Sequence, residues 1–142
     1  MQFTTTIFAL AAAMGVSADV VFSVSGFSAS CVPHSSQCIY DFTLFAPGSG
    51  ETAATGVDCT KSVTSDGTLP AVTDGTCTDS SRTFTVTKNA DGGLTLTASQ
   101  PITPSSDQSG SYTIPASDLT TSTTGASTQQ AYTGPAAFDL SG

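Results

Sequence analysis

The chain has 142 residues, of which 11 are acidic and three are basic, so its formal net charge is −8 at pH 7. Only Lys61, Arg82 and Lys88 carry positive charge, which argues against binding to nucleic acid phosphates or to anionic lipid through a basic patch. Serine and threonine make up roughly a third of the chain against 10% charged residues, a composition typical of a β-rich extracellular protein.

The N-terminal segment has the pattern of an export signal. Residues 7–16 form an apolar run that is long enough for the core of a signal peptide and too short to span a bilayer. Small residues then precede a predicted cleavage between Ala18 and Asp19. The sequence therefore predicts a signal peptide over residues 1–18 and a single secreted domain over residues 19–142. No second apolar stretch of membrane length follows, so we expect this domain to be soluble and extracellular.

The secreted part alternates apolar and polar residues with the period of a β-strand. Its clearest hairpin joins two alternating runs through Asp91-Gly92-Gly93, since such residues accept the positive φ of a tight turn. This hairpin is predicted over residues 82–99. Further strands are predicted at residues 20–25, 39–45, 111–114 and 136–140, with weaker candidates at 55–59 and 76–78. A single helical turn is predicted at residues 115–119, and loops at 46–52, 64–75, 100–109 and 119–130. Short strands in this number predict an all-β fold, a compact antiparallel β-barrel with a β-sandwich as the alternative.

Four cysteines follow the predicted signal peptide: Cys31, Cys38, Cys59 and Cys77. An even number in an exported chain predicts two disulfides, for which three pairings exist. Chain entropy alone slightly favours the crossed pairings, at about 3.6–3.9 kcal/mol per bridge against about 2.5–3.2 kcal/mol for the short loops. Short loops close more readily, so we favour Cys31–Cys38 and Cys59–Cys77. The spacings match no zinc-binding pattern.

Few residues are candidates for chemistry. His34 is the only histidine, so neither a histidine metal cage nor a Cys-His nucleophile is expected, and a structural role in its turn is favoured. Asp41 and Asp139 lie within apolar strands, which leaves a cell-wall glycoside hydrolase as a remote alternative because glycosidases need two carboxylates. The other acidic residues lie mostly in turns, where aspartate bonds to nearby backbone. The sequence predicts a non-enzymatic protein without a metal or cofactor.

A small-ligand carrier is the alternative function from a different class. A β-barrel can hold an apolar or phenolic ligand at its mouth. The chain has no tryptophan, so Tyr40, Tyr112, Tyr132 and the phenylalanines are the side chains expected to line such a site.

Four blocks of sequence carry a resemblance to a known family. They are SASCVPHSSQCIYDFTL, GGLTLT, SYTIPASDL and AYTGPAAF, and together they extend from Ser28 to Phe138. In this order they resemble the fungal secreted proteins of the Alternaria major-allergen family, most strongly its branch of hypersensitive-response-inducing elicitors. The resemblance implies secretion by a filamentous fungus, a compact antiparallel β-barrel and two disulfides with the pairing favoured above.

The resemblance also implies a function. Plants are expected to perceive the protein as an elicitor of cell death and defence, and its expected partner is an apoplastic or receptor protein, with thaumatin-like defence proteins as one class. It implies no catalytic residues. The founding allergen forms a covalent dimer through an additional cysteine, and this chain has none to spare, so a monomer is expected. The recognition surface is not predicted.

Overall fold

The computed structural model describes residues 19–142, except for the side chain of Thr124. The predicted signal peptide, including Ala18, lies outside the described residues. Within them no helix has the length and hydropathy needed to cross a bilayer. The structure consists of ten strands joined by turns, two of which are short 3-10 turns at Pro47–Ser49 and Ala116–Asp118. The strands are β1 Val20–Cys31, β2 Gln37–Phe45, β3 Val57–Thr64, β4 Val72–Cys77, β5 Thr83–Lys88, β6 Leu94–Thr103, β7 Ser106–Ile114, β8 Leu119–Thr124, β9 Ser127–Tyr132 and β10 Phe138–Ser141.

Eight of the strands close into an antiparallel barrel. Strands β1 to β7 pair in chain order, and β10 lies between β7 and β1 to close the ring. The interior of an eight-stranded barrel is just wide enough to be filled by side chains. Alternate residues of β2 supply part of this filling, because Tyr40, Phe42 and Leu44 all point inward and are buried. The predicted antiparallel β-barrel is therefore confirmed over the β-sandwich.

Strand β1 bends so that it can pair with two successive strands on one side. Its register shifts between Ser25 and Ser28, where Gly26 adopts a φ of +63° that suits glycine because it has no Cβ. The N-terminal half of β1 pairs with β10, whereas Ser30 in its C-terminal half pairs with Ala131 of β9. The β8–β9 hairpin therefore extends the sheet past the closed barrel, and β8 is the last strand in the order.

Both disulfides have the favoured pairing. Cys31 bonds to Cys38 and Cys59 bonds to Cys77. Each bond joins residues that stand opposite each other on neighbouring antiparallel strands. The crossed pairings, although favoured by chain entropy, do not occur because the barrel brings β1 against β2 and β3 against β4.

Three of the predicted loops were wrong in part or in full. Residues 119–130 form the β8–β9 hairpin, and most of residues 100–109 belongs to β6 and β7. Strand β4 begins within the loop predicted over residues 64–75. Threonine and serine occupy most positions of β8, residues 101–109 are all exposed, and Asp74 and Gly75 interrupt β4. No apolar alternation therefore marks these strands, although threonine itself favours strand backbone. The predicted hairpin at Asp91-Gly92-Gly93 and the short turn before β8 are confirmed.

Candidate functional site

Three segments meet at one end of the barrel, which we call the loop end. They are the β1–β2 turn at residues 32–36, the β3–β4 loop at residues 65–71, and the β8–β9 hairpin. The backbone N–H of His34 donates to Ser127 Oγ at 3.2 Å. The N–H of Gln130 donates to the Gly67 carbonyl at 2.7 Å. The hairpin is therefore hydrogen-bonded to both of the other segments.

The β3–β4 loop is anchored into the top of the core. Leu69 is fully buried, and its N–H donates to Gln130 Oε1 at 2.7 Å. The hydroxyl of Tyr40 donates to the Pro70 carbonyl at 2.6 Å, and burial raises the pKa of this phenol above its usual value. Because a buried polar group without a partner is costly, these two bonds anchor the loop over the barrel.

Gly67 allows the loop and the hairpin to approach closely. It has a φ of +107°, and a Cβ at this position would collide with the Thr128 carbonyl. Only glycine combines this backbone conformation with so close a neighbour. The contact explains why the chain places glycine directly after Asp66.

Asp66 has a structural role in its own loop. Its Oδ1 accepts hydrogen bonds from the Thr68 N–H at 3.2 Å and the Thr68 hydroxyl at 2.8 Å. These bonds, led by the one from the Thr68 hydroxyl, lower the pKa of the Asp66 carboxyl. Aspartate at such a turn keeps its charge and stabilises the loop through nearby N–H and O–H donors.

Two shallow cavities open at the loop end. The larger has a volume of about 330 Å³ and is lined by His34 with serine, threonine, glycine, alanine and aspartate residues of the three segments. The smaller, of about 250 Å³, lies beside it and includes Leu69, Leu94 and Lys88. His34 is exposed and has a φ of 58°, a left-handed conformation that is uncommon outside glycine. The surface is polar and held in shape by its own hydrogen bonds.

The aromatic side chains expected to line a ligand site pack against one another instead. The ring of Phe27 contacts Tyr132 at 4.8 Å and Phe138 at 5.3 Å between centroids, and Phe138 stacks on Tyr112 at 4.0 Å. The Tyr132 hydroxyl donates to the Pro135 carbonyl at 2.6 Å. Burial, followed by the charges of neighbouring groups, raises the pKa of Tyr132 to about 12. No tyrosine or phenylalanine is among the residues that line the two cavities.

The two strand carboxylates lie away from the loop-end cavities. Asp41 and Asp139 are both exposed on the outside of the barrel, on the strands that flank β1 on its two sides. Asp139 accepts a hydrogen bond from Ser23 Oγ at 2.8 Å. Across residues 19–142, no group of three or more His, Cys, Asp or Glu side chains is arranged to hold a metal ion.

The sequence reasoning missed an ion pair between the buried Arg82 and the partly exposed Glu51 at the opposite end of the barrel. Arg82 forms two bonds of 2.8 Å to the carboxylate of Glu51, and its Nε donates to Gln100 Oε1 at 2.9 Å. Its guanidinium carbon lies 5.5 Å from the centre of the Phe22 ring. The Arg82 hydrogen bond lowers the pKa of Glu51. Glu51 and Gln100 lie 31 and 18 positions from Arg82, so the sequence does not bring the three residues together. The available signal was the alternation of β5: Arg82 directly precedes the strand and shares the period of two with the buried Phe84 and Val86.

Comparisons with protein-family models, with curated proteins and with solved structures find no match to this chain.

Proposed function

We propose that this protein is a secreted fungal effector that plants perceive as an elicitor of the hypersensitive response, and that it acts by binding a plant protein at the loop end. The observation that carries the proposal is the hydrogen-bonded assembly of three separate segments into one exposed polar surface. Loops that are positioned by a rigid scaffold are the usual carriers of recognition. A surface that is already ordered also loses less entropy when a partner binds.

The positions of the four sequence blocks that carry the family resemblance also favour the loop end as the recognition surface. The first block contains the β1–β2 turn, and the second begins in the β5–β6 turn beside the smaller cavity. The third and fourth lead into β8 and out of β9. All four blocks thus reach the loop end or its supporting hairpin, although they are far apart in the sequence.

The oxidised barrel supports secretion as part of the proposal. Both disulfides are formed and no free cysteine occurs among the described residues. Disulfides of this kind persist in oxidising compartments. A protein acting in the plant apoplast benefits from such bridges because it must keep its surface intact outside the cell.

Infiltration of leaves with the purified protein tests the proposal. Ser36 lies exposed at the edge of the larger cavity, and Ser105 lies exposed in the β6–β7 turn at the opposite end. The matched variants Ser36→Arg and Ser105→Arg introduce the same bulk and charge at the two ends. We expect electrolyte leakage from leaves treated with the wild type and with Ser105→Arg, and much less with Ser36→Arg.

Two outcomes contradict the proposal in different ways. If the wild type causes no leakage in several plant species, the elicitor function is wrong. If both variants act like the wild type, recognition does not occur at the loop end. Titration of the protein with flavonoids and fatty acids tests the small-ligand alternative separately, because saturable binding there would favour a carrier.

A further inference from the structure

Among residues 19–142, no strand covers the outer edge of β8. It stands at the end of the strand order, paired only with β9. Its residues Thr120, Thr121, Ser122 and Thr123 are exposed. The eight barrel strands avoid this situation because closure pairs each of them on both sides.

The hydrogen bonds of β9 and of Thr133 after it show which backbone N–H and C=O groups of β8 point away from β9. The Thr133 N–H bonds to the Asp118 carbonyl, whereas the Gln130 N–H points away from β8 toward Gly67. In an antiparallel pair, residues alternate between those that bond to the neighbour and those that do not. Since Thr121 stands opposite Gln130, the N–H and C=O groups of Thr121 and Thr123 point away from β9.

This edge lacks the features that usually prevent strand addition. Proteins protect edges with charged side chains, prolines, bulges or very short strands. Strand β8 has six residues, LTTSTT, with no charge and no proline, and its pairing with β9 has no register shift. Threonine also favours extended backbone. An added strand could therefore pair with regularly spaced backbone N–H and C=O groups along β8.

The charge of the protein indicates what kind of strand this edge receives. The net charge is −8, and the basic residues are engaged within the molecule. Lys61 pairs with Asp74, Arg82 pairs with Glu51, and Lys88 Nζ donates to a threonine hydroxyl at 3.3 Å. Two copies of the chain would each carry a net charge of −8 and repel each other, whereas a basic partner is attracted at long range.

We propose that the outer edge of β8 binds an extended segment of a basic partner protein, which adds to the sheet as a further strand. The inference rests on the proposed function, since it specifies the chemistry of the protein partner and where its segment binds. Main-chain hydrogen bonds from Thr121 and Thr123 provide the affinity in this mode, and alternate side chains provide the specificity. Positive charge beside the strand provides the attraction to this acidic protein.

A proline substitution tests the edge without removing a bond between β8 and β9. Thr121→Pro deletes an N–H that points outward, and edge strands tolerate proline in this position. Thr121→Val is the matched control, because it keeps the N–H and the β-branched shape. The probe is a synthetic peptide of alternating threonine and valine flanked by lysines, and a second peptide has glutamates in place of the lysines. Amide chemical shifts and hydrogen exchange of the secreted, folded protein report binding.

We expect the lysine peptide to shift the amides of β8 and slow exchange at Thr121 and Thr123 in the wild type and in Thr121→Val. We expect no such effect in Thr121→Pro or with the glutamate peptide. Equal effects in all three proteins, or none in any, overturn the proposal. A wild type that dimerises in sedimentation while Thr121→Pro stays monomeric also overturns it, because the occupant is then a second copy. Peptide binding is measured without plants, so its failure is distinct from a failure of the leaf response.

Discussion

The ion pair between the buried Arg82 and the partly exposed Glu51 gives the sharpest prediction about stability. Arg82 has a side-chain exposure of only 7%, and that of Glu51 is 28%. The substitution Glu51→Gln removes the negative charge and keeps the shape of the side chain. The guanidinium then stays buried beside a neutral amide, which can accept at one position but presents N–H groups at the other.

The exposure of the two partners sets the magnitude. Breaking a fully buried pair by removing one partner costs about 3–5 kcal/mol, and an exposed pair is worth about 0–1 kcal/mol. With Arg82 buried and Glu51 partly exposed, we expect Glu51→Gln to lower the free energy of unfolding by about 2–3 kcal/mol. The unfolding entropy of about 2.1 cal/mol/K per residue over the 124 described residues converts this to a decrease in Tm of about 8–12 °C.

Calorimetry and urea denaturation of the oxidised protein measure this loss, with Asp74→Asn as the control. Asp74 forms an exposed pair with Lys61 at 3.3 Å, so its loss should cost about 0–1 kcal/mol. The hydrogen bond from Arg82 lowers the pKa of Glu51 in the folded state below its ordinary value of 4.5. The ion pair therefore stabilises the fold fully above pH 4.5, and this stabilisation is lost as the pH falls through the folded-state pKa. The difference between wild type and Glu51→Gln should therefore shrink on acidification. Equal losses for the two variants at neutral pH would refute this reasoning.

Further predictions concern the disulfides and the tyrosines. Replacing both Cys59 and Cys77 by alanine should lower the free energy of unfolding by about 3 kcal/mol, because the bridge closes the longer of the two short loops, with a sequence separation of 18. An unchanged urea midpoint would contradict this. Tyr40→Phe should cost about 1–2 kcal/mol, since the carbonyl of Pro70 loses its donor, and a variant as stable as the wild type in urea would count against the anchoring of the loop. With its pKa raised to about 12, Tyr132 should stabilise the fold below pH 10 and lose this contribution as the pH rises toward 12. A pH titration of phenolate absorbance should show a step near pH 12 in the wild type that is absent from Tyr132→Phe. If the two curves are the same, another phenol ionises near pH 12.

The parts of the fold that were predictable from the sequence are those that face the core. Strand β2 alternates Tyr40, Phe42 and Leu44 with more polar residues, and its burial follows this alternation. The hairpin of β5 and β6 has the same pattern around a turn rich in glycine. In both cases one face is apolar because it lies in the barrel, so the period of two is visible in the sequence.

The β8–β9 hairpin was not predictable in the same way. It extends beyond the barrel, and threonine, serine and glutamine occupy most positions on both of its faces. Without an apolar face there is no hydrophobic alternation to detect. The sequence pattern therefore predicts a loop here, although the turn begins with Gly125 at a φ of +64°, which suits a tight hairpin.

The loop end could not be predicted because its contacts are long-range in sequence. His34 and Ser127 are 93 positions apart, and Leu69 and Gln130 are 61 positions apart. These contacts depend on the bend in β1 and on the position of the β8–β9 hairpin. The sequence indicated the turn that contains His34 but not the segments that surround it.

Capture of plant proteins from apoplastic fluid tests whether the loop end recognises a plant protein. Wild type, Ser36→Arg and Ser105→Arg are immobilised at equal density, and the retained proteins are compared by mass spectrometry. We expect the wild type and Ser105→Arg to retain the same plant protein and Ser36→Arg not to retain it. Retention of the same proteins by all three, or of none beyond the bare matrix, would contradict recognition of a plant protein at the loop end.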